Sequence, residues 1–207
     1  MKKIVIIGHG GHSKVIQDIV LMSKELKLVA ILDDRYEEVT IQNGVSYGPI
    51  HYGMKLSLEG DTFFIIGIGN NESRKSVVHK LALPKEQYIT LIHESAIVSS
   101  KASIGLGTVV MARSVVQADS TVGSHAILNT GSIVEHDNVI GNYAHISPGS
   151  TLTGNVRIGE GTHIGAGTVI IPSCTVGDWS IIGAGSTVTR EILDGQKAYG
   201  TPARVVT

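Results

Sequence analysis

From Ile92 onward, every sixth residue through Val188 is isoleucine, leucine or valine, seventeen positions in succession. The series opens Ile92, Val98, Ile104, Val110 and closes Ile170, Val176, Ile182, Val188. Four residues after each of the first sixteen stands Ala, Ser, Thr or Cys, except at Asn138 and Val156. The residue directly after the aliphatic is frequently glycine, as at Gly105, Gly123, Gly141, Gly159, Gly165, Gly177 and Gly183. Neither the 3.6-residue period of a helix nor simple two-residue alternation produces this pattern. A period of six with one large and one small inward residue describes a three-sided solenoid. Each hexad forms a short strand and a corner, and three hexads close a coil, with coils roughly 4.8 Å apart by strand pairing. The glycines are expected to relieve the backbone at the corners.

The chain before the repeat alternates strand and helix signals. Residues 3–7 read as an apolar strand, followed by Gly8-His9-Gly10-Gly11-His12 and a helix over 13–24. Val15, Ile16, Ile19 and Val20 are expected on the buried face of that helix. Residues 28–32 form a second strand ending at Asp33-Asp34-Arg35. Residues 62–68 form a third ending at Gly69-Asn70-Asn71, with a helix over 72–81. Glycine turns and an acidic pair therefore sit at strand C-termini, where α/β sheets bind ligands. The G-x-G-x-x-G dinucleotide fingerprint is incomplete, because Ser13 stands where its third glycine belongs. Three readings stay open for this turn: a dinucleotide site, helix N-terminal amides holding a phosphate or crowding a sugar, or a turn without a ligand.

Composition sharpens the division. Residues 1–91 carry 11 basic and 10 acidic residues and six of the nine aromatics; residues 92–188 carry 3, 6 and two, with 14 glycines. Two domains are expected, 1–90 and 91–207, the fold class being α/β plus all-β. A net charge of −1 gives no electrostatic reason to expect nucleic acid as a partner. One cysteine, Cys174, excludes an internal disulfide framework and a Cys-rich zinc site. No apolar run is long enough for a membrane span or a signal peptide, so a cytoplasmic protein is expected.

The six-residue repeat resembles the hexapeptide-repeat family, which implies a left-handed parallel β-helix. It also implies acyl transfer and, usually, trimers with active sites between neighbouring prisms. Taken with the N-terminal motifs Gly8-His-Gly-Gly-His-Ser13, Leu32-Asp-Asp34, Ile68-Gly-Asn-Asn-Glu72 and Arg74, the resemblance narrows. So do Leu128-Asn-Thr130, Val134-Glu-His-Asp137, His145 and Gly154-Asn-Val156. Together they resemble the sugar N-acetyltransferases that acetylate UDP-4-amino-4-deoxy sugars on the route to bacillosamine, a group also described as sialic acid O-acetyltransferases. The resemblance implies that a Rossmann-like N-terminal domain binds the UDP-amino sugar and that the prism binds acetyl-CoA.

Acyl transfer from a thioester needs a base and an oxyanion donor. His136 is the candidate base, since carboxylates flank it in Glu135-His136-Asp137. The resemblance assigns its tuning carboxylate to Asp137, where the family usually has the longer Glu. It also implies acetyl-CoA contacts at His145, Gly154, Ala166 and Ala184, with Gly154 offering its N–H to the acetyl carbonyl. Gly10, Gly11 and His12 would meet the sugar and phosphates, Asp33 and Asp34 the uridine end, and Gly69 a turn beside it. His125 reads as a solvated outward residue. His145 follows His136 by nine residues, half a coil, so the two share a site only across subunits, which points to a closed oligomer such as a trimer. His163 lies one coil beyond His145. O-acetylation of a sialic acid or other sugar hydroxyl is the alternative activity. A metal-dependent prism is disfavoured, because prism histidines 11, 9 and 18 residues apart lack a close pair, and no metal is expected. A non-catalytic scaffold remains the third class.

Overall fold

A computed structural model of the chain describes residues 1–206 and divides into two compact units, Met1–Leu91 and Ile92–Thr207. The first unit is a five-stranded sheet built on β1 (Lys2–Ile7), β2 (Leu26–Leu32), β3 (Thr40–Gln42), β4 (Val45–Gly48) and β5 (Thr62–Ile66), in the order β3-β4-β2-β1-β5. The helices are α1 (Gly11–Met22), α2 (Tyr52–Leu56) and α3 (Asn71–Leu81). Ile4 to Ile7 and Ala30 to Leu32 are almost fully buried, as expected of parallel strands covered on both faces. The chain leaves β1 for β2 on one side and later returns to β5 on the other, which places a crevice at the C-terminal ends of β1 and β5.

The α1 face differs from expectation. Ile16, Ile19 and Val20 are buried, but Val15 is 42% exposed and Ser13 takes the inward position at the helix start. Ser13 also explains the missing third glycine. A Cβ at Gly67, just past β5, would lie 2.7 Å from Ser13 Cβ, so the close helix–strand approach is made by a glycine on the strand side. The β3–β4 hairpin was not expected. Its turn is Asn43-Gly44, both at positive φ (51° and 78°), a strong hairpin signal.

The second unit is the left-handed parallel β-helix that the resemblance implies. Two-residue strands stack into three parallel faces: Val109–Val110 to Ile181–Ile182 on the first, Ile97–Val98 to Thr187–Val188 on the second, and Ser103–Ile104 to Thr175–Val176 on the third. Registers advance by 18 residues, as in Val116↔Val134 and Ile146↔Ile164. The aliphatic column from Val110 to Val188 and the small column from Thr108 to Ser186 are buried. Each aliphatic contributes roughly 1.5–3 kcal/mol by leaving water. Ile92, in the terminal rung Leu91–Ile92 of the first face, is 46% exposed, because no coil stacks beyond it. An antiparallel pair, Lys197–Tyr199 with Arg204–Val206, extends the first face beyond Ile181–Ile182.

The corner geometry corrects the expected glycine role. Every sixth residue from Gly107 to Gly185 has a positive φ near 60°, and this column includes Arg113, Asp119, His125, Asp137, Tyr143, Asn155, Ser173 and Trp179 as well as glycines. The glycines that follow the aliphatics lie outside it. They are needed because the next coil passes too close: a Cβ at Gly141 would lie 2.5 Å from the backbone N of Glu160.

Candidate active site

His136 and Asp137 sit on the corner between the second and third faces. Asp137 occupies the left-handed position of that corner, φ 61°, a conformation Asp and Asn adopt more readily than most residues. The turn swings its carboxylate back over the preceding residue, and His136 Nδ1 meets Asp137 Oδ2 at 2.7 Å. Asp, although shorter than Glu, therefore reaches the ring. Both side chains are well exposed, 63% and 58%. The Asp137 hydrogen bond, against some desolvation and aided by the charges of Asp137 and Glu135, raises the His136 pKa above its ordinary value. Nε2 is the ring nitrogen not engaged by Asp137.

Gly154 follows His136 by one coil. A Cβ there would lie 2.6 Å from His136 Cε1 and 2.8 Å from Nε2, so the imidazole rests on bare backbone. Among the described residues, no acceptor takes the Gly154 N–H. A proton acceptor and an open backbone donor are thus side by side on one corner.

His145, Ala166 and Ala184 belong elsewhere on the prism. His145 points outward from the first face and is only 8% exposed. Asn129 Nδ2 donates to His145 Nε2 (3.0 Å), and Asn129 Oδ1 accepts the Thr130 N–H (2.8 Å), which fixes the amide's orientation. The His163 ring lies 4.8 Å from that of His145, and its Nε2 meets Ser147 Oγ at 3.0 Å. Ala166 and Ala184 stack on the corner between the first and second faces. Within one chain, then, His136, Asp137 and Gly154 lie at one edge of the second face, and Asn129, Ala166 and Ala184 at the other. Asn129 was missed as a site residue; its signal is its place one coil less two residues before His145. His125 is not a solvated residue: it is 7% exposed, with its ring stacked on Tyr143 at 5.3 Å and 8°.

In the first unit, Gly10 caps α1 without a side-chain hydrogen bond, and no acidic residue stands in the first turn. The positive end of the helix dipole is left for an anion. The Cβ positions of Gly10 and Gly11 are open, and Gly69 lies beside His12. Burial, with the positive charge of Arg74, holds the His12 pKa down at about 4, so the ring is neutral at pH 7. Arg74, itself 1% exposed, donates to the carbonyls of Ile68 (3.0 Å) and Gly69 (3.1 Å) and to Asn71 Oδ1 (2.8 Å), setting the loop after β5.

Asp33 is largely occupied internally. Its Oδ2 accepts the His9 N–H (2.6 Å), and its Oδ1 accepts from the Arg35 backbone (3.0 Å) and Nε (3.1 Å). Burial acts to raise its pKa, but these donors outweigh it and hold the carboxyl below its ordinary value. Asp34 is exposed and pairs with Lys80 at 3.3 Å. Sequence reasoning missed the aromatic group beside them. The His9, Tyr36 and Tyr47 rings come from three separate segments with centroids 5.7–6.0 Å apart, and His9 Nδ1 hydrogen-bonds the Tyr36 hydroxyl.

Among the described residues, no group of three or more His, Cys, Asp or Glu gathers as a metal site, and no helix is long and apolar enough to cross a membrane.

Comparison with known proteins matches residues 3–81 to the PglD N-terminal domain, and residues 137–171 and 155–190 to the bacterial transferase hexapeptide repeat. PerB of Caulobacter crescentus, solved with CoA and GDP-perosamine, superposes with a TM-score of 0.90 at 34% identity, covering 99% of this chain and 97% of that one. The chain belongs to the PglD-type hexapeptide-repeat sugar acetyltransferases. Another member of this family, the acetyltransferase domain of PglB from Neisseria gonorrhoeae, solved with acetyl coenzyme A, gives a TM-score of 0.88 at 34% identity over 99% of both chains. The UDP-N-acetylbacillosamine N-acetyltransferase of Bacillus subtilis is 46% identical over 115 residues, 54% of this chain and about half, 52%, of that protein.

The raised His136 pKa predicts a pH effect. A base works unprotonated, so with His136 in that role the acidic limb of the rate profile would follow its pKa. Asp137→Asn replaces the carboxylate whose hydrogen bond, and to a lesser degree charge, raises it. The limb is expected to move to lower pH while the plateau rate falls, because the ring becomes a weaker base. A pH–rate series on both proteins checks this; an unmoved limb would detach Asp137 from the base.

Proposed function

We propose that the protein transfers the acetyl group of acetyl-CoA to the 4-amino group of a UDP-linked amino-deoxy sugar. The observation that carries this reading is the corner itself: a carboxylate-backed imidazole with Nε2 exposed, lying on a glycine whose N–H is open. The amine attacks the thioester carbonyl and passes its proton to His136 Nε2. The Gly154 N–H stabilises the oxyanion of the tetrahedral intermediate. Collapse breaks the C–S bond, and the proton on His136 moves to the departing CoA thiolate. The amide and free CoA result.

The second face supports assembly as a homotrimer. Its outward residues are Ile97, Val115, Ile133, Thr151, Val169 and Thr187, with no charge among them, and Ile97 is 67% exposed. Packing this face around a threefold axis brings one subunit's His136 corner to a neighbour's Asn129–Ala166–Ala184 corner. Acetyl-CoA then lies between prisms, reaching Gly154 of one subunit and His145 of the next.

The N-terminal unit holds the nucleotide sugar. The uncapped α1 amides at Gly10 and Gly11 receive the diphosphate, and neutral His12 and Gly69 border it. The His9–Tyr36–Tyr47 rings, with Asp33 and Asp34 beside them, offer a stacking surface for the base. With acetyl-CoA and a nucleotide sugar as its substrates, the enzyme would act in the cytoplasm.

The test is CoA-thiol release from acetyl-CoA with a UDP-4-amino-trideoxy sugar, its GDP counterpart and free sialic acid. Release with the UDP amino sugar alone is expected. Release only with sialic acid would make the enzyme an O-acetyltransferase, and release only with the GDP sugar would overturn the uridine assignment.

A further inference from the structure

The small-residue column of the prism has two exceptions, Asn138 and Val156, and they are stacked one coil apart, beside the two residues assigned to chemistry. Elsewhere in the column a hydroxyl does one job. Ser120 Oγ donates to the carbonyl fifteen residues on (Glu135, 2.7 Å) and accepts the N–H eighteen residues on (Asn138, 3.1 Å). Thr162 does the same with Gly177 O and Ser180 N. These two links tie one coil to the next.

Asn138, fully buried, makes both links: Nδ2 donates to Thr153 O at 3.0 Å and Oδ1 accepts from Val156 N at 3.0 Å. Its amide has a second donor hydrogen, which a hydroxyl lacks. That hydrogen serves the Glu135 carbonyl at 2.6 Å, within its own corner. Glu135 O therefore accepts two bonds, one from Ser120 beneath and one from Asn138 across the turn. In other corners the backbone N–H of the column residue reaches this carbonyl, as Ser132 N does Asn129 O (3.0 Å) and Thr168 N does Gly165 O (3.2 Å). In the corner Glu135-His136-Asp137-Asn138 the Asn138 N–H is taken by Ser120 Oγ, and the side-chain amide closes the turn instead.

We propose that Asn138 is a positioning residue: it locks the Glu135–Asp137 turn so that the His136 ring is held against Asp137 and over Gly154. Its place in the sequence follows from this role. A polar side chain larger than its column allows sits only where the turn carries the reacting group. Val156 fills the same column in the next coil, and its N–H caps the amide oxygen. The charged groups acting on the ring are Asp137 and Glu135 of the same turn. The neighbouring coils bring Asp119 on one side and the neutral Asn155 on the other, both in the left-handed column with Asp137.

The role rests on His136 as the base, so one readout is independent of any substrate. Thr162 makes both links between coils from this column, so Asn138→Thr keeps those links and removes the amide's bonds within the turn, to Glu135 O and His136 O. In the unliganded variant, NMR titration of His136 is expected to show its pKa shifted down toward the ordinary histidine value, with the melting temperature nearly unchanged. The acetyl-transfer kcat should fall roughly tenfold, with KM for both substrates held. Asn138→Ala, which loses the links between coils as well, should lower the melting temperature in addition. If Asn138→Thr titrates and turns over as the parent does, or loses activity only in proportion to stability, the positioning role is wrong. A shifted His136 titration without any acetyl transfer in the parent would keep the positioning role and overturn the reaction instead.

Discussion

Replacing His136 by alanine is expected to slow acetyl transfer by about 10²–10⁴, the usual contribution of a positioned general base. The fold should survive, because the ring is largely exposed and fills no part of the prism interior. Acetyl-CoA affinity should change little, since His145, Ala166 and Ala184 do not depend on the His136 side chain. Steady-state CoA release at saturating amino sugar, with acetyl-CoA binding measured by calorimetry, separates the two effects. A variant that keeps the parental kcat would remove His136 from the mechanism. A variant that also loses acetyl-CoA binding would make the ring a binding group instead.

A large effect on stability is expected at Gly141. A Cβ there would lie 2.5 Å from Glu160 N and 2.7 Å from Gly159 C, all backbone of the next coil. That backbone is itself held in the ladder, with Gly141 N bonded to Ile158 O at 2.8 Å and Gly159 N to Val176 O at 2.8 Å. Neither coil can yield without lengthening these bonds. Gly141→Ala should cost about 3 kcal/mol or more, at the upper end for overpacking. For a chain of this size that is a fall in melting temperature of about 6–12 °C. Gly131→Ala is the contrast. Its φ is 66° and nothing lies near its Cβ position, so only the left-handed backbone is penalised, at about 1 kcal/mol. Thermal unfolding followed by circular dichroism compares them. Equal shifts would mean that glycine serves the turn at both positions and that coil spacing is not what Gly141 protects.

How much was legible depends on what each feature requires. The prism could be read residue by residue, because a covalent period of six repeated through five coils forces large and small side chains into fixed columns. The β-α-β unit was legible for similar reasons, from apolar strands and glycine turns. The β3–β4 hairpin was equally present in Asn43-Gly44 but was passed over between stronger signals. The buried face of α1 was misjudged at Val15, since helix periodicity alone does not show which side the sheet covers.

The site divides along the same line. The sequence by itself determined the two-part architecture, the columns, and the flanking of one histidine by two carboxylates. It could not choose between Glu135 and Asp137. Only the tertiary structure decided that, because the left-handed corner every six residues is a property of the closed coil and turns the residue after His136 back toward its ring. The contact of Gly154 with His136 and the stacking that buries His125 likewise arise from residues 18 apart becoming neighbours. Hydrophobic period is a local covalent pattern. Hydrogen-bond choice and contact between coils exist only after the solenoid has closed.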